Sequence, residues 1–270
     1  MLKTLRAQSA KFLEAMAAEG KTLVRVGDAA RITGHDPHQA AVFLGQLARR
    51  GVLTRLSRGL YALVPFGKDR EFGNPFLVAS ALAGSDAHFI SHLGAMSFHN
   101  LLLQPSRKLH VSILRAKPPR EIGPMRVEFV VIPKKRLWGF RQDWVTNTDR
   151  APISDIERTI VDACWRPELC GGIVDVARAL WISRDRLDAQ RLLQSVRRFG
   201  KFVVARRVGF LLETLQLDAA TIAKPLHDYS SRSRPYNNLD TILPPEGELN
   251  ARWRLRLNVT AEELVTATRA

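Results

Sequence analysis

The side chains of His38, Gln39, Val42, Gln46 and Arg49 recur at spacings that put them together on one face of a helix. Ala40, Phe43, Leu44 and Leu47 take the opposite, inward face. Glutamine, arginine and histidine carry the donors and acceptors that reach base edges in a major groove, and basic side chains hold a protein on phosphates. Downstream, Arg55, Ser57 and Arg58 fall at the tip of an expected hairpin. The chemistry open to these residues is recognition of double-stranded DNA rather than bond making.

The elements that must position them are legible on either side. Asp36 is placed to cap the helix with Pro37 in its first position, and Gln39 completes a capping box with Asp36. A short helix is expected over Asp28 to Thr33, with Gly34 and His35 as the turn between the two. Gly51 ends the second helix as a residue free to take positive φ does, and Val52 to Leu63 reads as a hairpin turning at Ser57-Arg58-Gly59. Helix, turn, helix and hairpin in that order make a winged helix-turn-helix. Before it, MLKTLRAQSAKFLEAMAAEG predicts an amphipathic helix with Leu2, Leu5, Phe12, Leu13 and Met16 as its apolar stripe, packed beneath the module.

Other constellations invite a catalytic or metal reading and carry it poorly. Asp155, Glu157 and Asp162 resemble a ligand set, yet the first two fall in the opening turn of an expected helix, behind a capping box of Ser154 and Glu157, where carboxylates are favoured by the dipole alone. His92 and His99 share a helix face two turns apart but lack a cysteine or third histidine nearby. A nuclease needs an acid and a lysine on adjacent strands; Glu128 is followed by lysine only at Lys134 and Lys135. Gly171-Gly172 lacks the remaining glycines and the lysine of a phosphate loop. Cys164 and Cys170 fit neither a disulfide framework nor a zinc spacing, which points to a reduced, cytoplasmic setting. No catalytic residue, metal or cofactor is expected.

Composition agrees with an anionic partner. The chain has 270 residues, 46% of them hydrophobic, enough for a sizeable core and two domains. Its formal charge is +15, and residues 1–68 hold 11 Lys/Arg against 4 Asp/Glu, so nearly half of the excess sits in the first quarter of the chain. No stretch approaches the roughly 20 apolar residues of a membrane span, and no membrane partner is expected. VPFGKDREFGNP after Leu63 has the composition of a linker. The expected division is a DNA-binding domain over 1–68 and a larger domain over 75–270.

Within the larger part, Pro75 to Ala83 and His88 to Leu102 show helical spacing, Leu109 to Leu114 and Met125 to Ile132 read as strands separated by a loop, and Trp144 to Thr148 suggests a third strand. Ile173 to Leu217 is expected to be helical, broken near Ser183 and Gly200, with Arg197, Arg198, Lys201, Arg206 and Arg207 as a second basic face. Trp253, Leu255 and Leu257 alternate as a strand does. The expected fold class is α+β, a winged helix-turn-helix followed by a larger mixed α/β domain with a helical C-terminal part.

Several segments together resemble the AbiEi-type antitoxins of type IV toxin–antitoxin systems. They are SRGLYAL at 57–63, SHLGA at 91–95 with FHNL at 98–101, DIERTIVD at 155–162, VGFLLE at 208–213, and Leu243-Pro244 with Trp253. Asn100 stands where the family often has glycine, and asparagine also tolerates a left-handed helix cap. The resemblance implies a non-enzymatic repressor that binds inverted repeats at its own promoter and neutralises a nucleotidyltransferase-like toxin, with or without direct contact. The alternative is a nucleic-acid enzyme, such as a nuclease, delivered to its substrate by the winged helix.

Overall fold

A computed structural model describes residues 7–64, 73–217 and 220–269. Leu2 and Leu5 of the expected N-terminal stripe, and most of the expected linker, lie outside these residues. The chain divides into two compact units, one made of Met1–Ser85, Arg120–Met125 and Asp143–Ala151, the other of Asp86–Pro119, Arg126–Gln142 and Pro152–Ala270.

The first unit runs α1 (Ala7–Ala18), β1 (Leu23–Arg25), α2 (Val26–Thr33), α3 (Pro37–Arg49), β2 (Leu53–Ser57), β3 (Leu60–Leu63) and α4 (Pro75–Ala83). Its three strands pair antiparallel in the order β1-β3-β2. This is the winged-helix order. Phe12 and Met16 of α1 reach the core formed by Val24, Ala29, Ala40, Phe43, Leu44, Leu47, Leu53 and Tyr61, with Phe12 meeting Phe43 edge to face at 5.3 Å. Leu13 is half-buried against the same cluster.

The remaining strands are β4 (His88–Ser91), β5 (Lys108–Ile113), β6 (Arg120–Ile122), β7 (Met125–Val131), β8 (Phe140–Trp144) and β9 (Arg150–Ser154), in a six-stranded sheet of order β6-β7-β5-β4-β9-β8. The strands β5 and β7 pair in parallel, as do β4 and β9, whereas β4 and β5 are antiparallel. The segment expected as one helix from His88 is instead β4 followed by α5 (His92–Phe98). Phe89, Ile90 and Ser91 are all buried, and a short, fully buried strand cannot be told from helix by periodicity. The strand expected at Trp144 to Thr148 lies earlier, because Val145 to Asp149 closes a turn in which Val145 N–H donates to Asp149 O at 3.0 Å and Thr146 Oγ1 to Asp149 Oδ2 at 2.8 Å. The expected loop between β5 and β7 contains β6.

Helices α6 (Ile156–Trp165), α7 (Ile173–Ser183), α8 (Ala189–Phe199), α9 (Phe202–Thr214), α10 (Ala220–Ser230) and α11 (Ala261–Thr266), with a small sheet of β10 (Asn237–Asn238), β11 (Glu248–Asn250) and β12 (Leu255–Leu257), enclose the largest core. The breaks expected near Ser183 and Gly200 fall between α7 and α8 and between α8 and α9. The capping box expected at Ser154 is displaced by one residue: Asp155 caps α6 by accepting from Arg158 N at 2.8 Å, while Ser154 ends β9, buried, with its hydroxyl 2.8 Å from that of Thr159.

Two separate sequence signals converge in this core. The indole of Trp253 lies across Gly209 of α9, and its N–H donates to Glu213 Oε2 at 2.6 Å one turn later. A Cβ at Gly209 would come within 2.0 Å of the ring. Replacing Gly209 by alanine is therefore expected to lower stability by about 1–3 kcal/mol through overpacking. Gly45 on α3 has open space around it, so Gly45→Ala should hold or raise stability by up to about 1 kcal/mol. Urea unfolding of the two variants checks this, and a Gly209→Ala protein as stable as wild type would refute the packing.

Candidate nucleic-acid interface

Helix α3 is built by local rules. Asp36 accepts from Gln39 N at 2.9 Å and Pro37 occupies the first turn. The Gln39 side chain does not return the bond, so the expected capping box is only half formed. The other half of such a box forms at the preceding helix, where the Asp28 carboxylate accepts from Arg25 N at 2.9 Å. Gly51, at φ 67°, closes α3 in a Schellman motif: its N–H donates to Ala48 O at 2.9 Å and that of Val52 to Leu47 O at 3.0 Å.

With the helix ends set, the 3.6-residue period sorts the faces. Ala40, Phe43, Leu44 and Leu47 are buried, while His38, Gln39, Val42, Gln46 and Arg49 are exposed, Val42 to 45%. Gln46 and Arg49 also line a cavity of about 550 Å³ with Gln8, Ser9, Phe43, Leu47 and Arg50. In the β2–β3 hairpin, Gly59 at φ 74° makes the turn, Ser57 is half-buried, and Arg55 and Arg58 are exposed. The register shifts between Arg55 and Ser57, and Arg55 Nε reaches back to Ser57 O at 3.4 Å. Among the described residues, the side chains of His38, Gln39, Gln46, Arg49 and Arg58 make no ion pair or hydrogen bond to the rest of the chain. The structure thus brings the α3 residues onto one open face and leaves their hydrogen-bonding groups unspent.

The acids and histidines elsewhere have structural work. Asp155 and Glu157 both face Arg191, at 3.1 and 3.3 Å, and Glu157 accepts from Asp188 N at 3.0 Å. Asp162 pairs with buried Arg158 at 3.0 Å; burial raises its carboxyl against the pull of that arginine. His99 bonds Ser154 O at 2.7 Å, and Asn100, at φ 56°, is the left-handed cap of α5. Glu128 sits beside Arg126, His110 and Lys108 at 2.8, 3.4 and 3.5 Å. Burial tends to raise the Glu128 carboxyl, but the Arg126 hydrogen bond and the neighbouring charges hold it below its ordinary range. Gly171 and Gly172 take positive φ in the turn before α7, where Asp240 Oδ2 accepts from Ile173 N at 2.5 Å. No metal-ligand cluster occurs among the described residues. Both cysteines are free and buried, and burial pushes the Cys164 thiol up to about 12.

Sequence reading missed how the second basic face divides. Arg206 and Arg207 are buried: Arg206 donates to Pro235 O and Asn237 Oδ1, and Arg207 to Cys164 O at 2.8 Å and Asn238 O at 2.7 Å. Arg198 and Lys201 stay exposed over the rings of Trp138 and Trp165. The cue available was position: on a helix, residues 206 and 207 lie within one turn of the buried glycine at 209.

Residues 11–64 match the family model described as "Transcriptional regulator, AbiEi antitoxin". Over this segment the chain is similar to the AbiEi antitoxin family. The segment runs from within α1 through β3 and so contains the whole α3 face and the wing. The chain is also similar to the crystal structure of the RV2827C protein from Mycobacterium tuberculosis, with a TM-score of 0.71 at 16% identity, covering 99% of this chain and 97% of that one. That likeness is one of fold, and it runs over nearly the full length of both chains. A search of curated proteins found no match. No helix among the described residues is long and apolar enough to cross a membrane.

One titration prediction follows from the buried histidines. Desolvation lowers His92 from 6.5 to about 3, aided by the charges of Arg166 and Arg158, and lowers His110 to about 4, aided by His92 and opposed by Glu128. Below pH 6.5 the unfolded imidazoles bind protons that the folded ones refuse, so folding stability falls as pH drops from that value toward about 4 and about 3. The slope is up to about 1.4 kcal/mol per pH unit for each histidine. Urea midpoints measured from pH 7 to 5 should fall, and fall less in His92→Gln; a variant with the wild-type pH slope would contradict this.

Proposed function

We propose that the protein is a DNA-binding repressor and antitoxin of a type IV, AbiE-like toxin–antitoxin system. In this reading residues 1–68 bind inverted repeats at its own promoter, and residues 75–270 suppress a nucleotidyltransferase-like toxin without being an enzyme. The observation that carries it is the open α3 face, whose His38, Gln39, Gln46 and Arg49 have unspent donors and acceptors within the segment that matches a regulator family. Gln39 and Gln46 are suited to base edges, with Val42 and His38 beside them, while Arg49, Arg55, Ser57 and Arg58 are suited to phosphates. The cytoplasm, where operator and toxin both reside, is the matching location.

The test uses the full-length protein on its upstream DNA and on random duplex. Gln39→Ala or Gln46→Ala should cut discrimination between the two by about 1–3 kcal/mol, whereas Arg58→Ala should weaken both alike. Equal losses on both DNAs for the glutamine variants would overturn α3 as the reading helix. In cells co-expressing the toxin, Arg58→Ala should lose repression of a promoter fusion yet still restore growth. Loss of rescue in a stably folded Arg58→Ala protein would refute the division of labour.

A further inference from the structure

The cleft of about 550 Å³ beside the outward face of α3 lies between that helix and α1, and its size falls in the range of small-molecule sites. Its floor is apolar. Phe43 and Leu47 are 8% and 1% exposed, and the Phe43 ring is held edge to face by Phe12 at 5.3 Å and by His35 at 6.1 Å. The α3 side is lined by Gln46, Arg49 and Arg50, the α1 side by Gln8 and Ser9. The Gln8 amide nitrogen donates to His35 Nε2 at 2.8 Å, which ties α1 to the turn before α3. Among the described residues, the Gln8 amide oxygen, the Ser9 hydroxyl and the side chains of Gln46 and Arg49 have no hydrogen-bond partner in the chain, and no carboxylate lines the cleft. Ser9 is only 4% exposed, so its hydroxyl is a buried polar group with nothing of its own chain to bond.

Such a lining selects a ligand by two of its parts. Arg49 and Arg50, in a lining that holds no carboxylate, favour a phosphate group. An apolar floor rimmed by amides, each with a donor and an acceptor, favours an organic body with a hydrogen-bonding edge, as a nucleobase has. A duplex keeps its bases paired and stacked, whereas a free nucleotide brings both parts into the cleft. We propose that the cleft binds a free nucleoside phosphate and that this occupant competes with operator DNA. The competition rests on the reading of α3 above: Gln46 and Arg49 line the cleft and also belong to the face that meets the groove, so a side chain turned to the nucleotide is withdrawn from the duplex. Each ligand then weakens the other by the same factor.

The experiment titrates the full-length protein with adenosine monophosphate, cytidine monophosphate, adenosine and inorganic phosphate at matched ionic strength, first by calorimetry and then in operator mobility shifts. Saturable binding of a monophosphate is expected, roughly tenfold tighter than adenosine or inorganic phosphate alone. At about ten times its own Kd, the monophosphate should lower the apparent operator affinity roughly tenfold. Two variants locate the ligand. Gln8→Glu sets a carboxylate against the phosphate, and Ser9→Leu fills the cleft from its buried side. Each, with its folding checked by thermal melts, should weaken the nucleotide roughly tenfold and remove its effect on operator binding. No saturable binding of either monophosphate, or binding that both folded variants leave unchanged, would overturn the proposal. Inorganic phosphate as strong as the nucleotide would do the same, since it marks a general attraction of anions to a basic chain, and so would a bound nucleotide that leaves operator affinity as it was. If the wild type binds no duplex at all, the α3 reading fails and the competition falls with it, while calorimetry still decides whether the cleft takes a nucleotide.

Discussion

A fully buried guanidinium organises the larger unit. Arg158 of α6 donates to Arg136 O at 2.9 Å and Trp138 O at 2.7 Å, pairs with Asp162 at 3.0 Å, and lies among the rings of Trp138, Phe89 and Phe199. A buried charge is tolerated only when paired and hydrogen-bonded, and removing one partner typically costs about 3–5 kcal/mol. The 3₁₀ turn, β4, α6 and α8 must therefore all stand where Arg158 needs them. Gly139 makes this possible, since a Cβ there would come within 2.9 Å of the Arg158 Cβ.

The same device recurs farther along the chain. Arg206 and Arg207 spend their donors on carbonyls of the C-terminal segment and of α6, and Glu213 joins Arg252 and the Trp253 indole. A segment rich in turn formers is thereby held by hydrogen bonds to a helix as well as by Leu239, Trp253, Leu255 and Val259 buried in the core. Much of the positive charge in α9 is thus interior and structural. Net charge alone overstates what this unit offers an anion, and the cations that remain outside gather at the ends of α8 and beside Trp138.

Among the described residues of the smaller unit no charged side chain is buried. Its helices end on local caps, its core is apolar, and its basic side chains point outward. A surface that contributes nothing to folding is free to be shaped by what it binds, which is why α3 can present glutamine, histidine and arginine together without structural penalty.

The sequence by itself determined the winged helix, because every signal there is local: Asp36 and Pro37 open α3, Gly51 closes it, the 3.6 period divides its faces, and Gly59 turns the wing. It also determined the breaks at Ser183 and Gly200 and the left-handed cap at Asn100. What only the tertiary structure decided depends on partners distant in sequence. Whether Phe89 to Ser91 is strand or helix was settled by β5 and β9 on either side, and Ser154 was drawn into β9 so that the cap passed to Asp155. Which arginines of 197–207 face water was settled by carbonyls 24 to 43 residues away in the chain. Periodicity reports a residue's neighbours on its own element; a buried hydrogen bond to another element leaves no trace in that period.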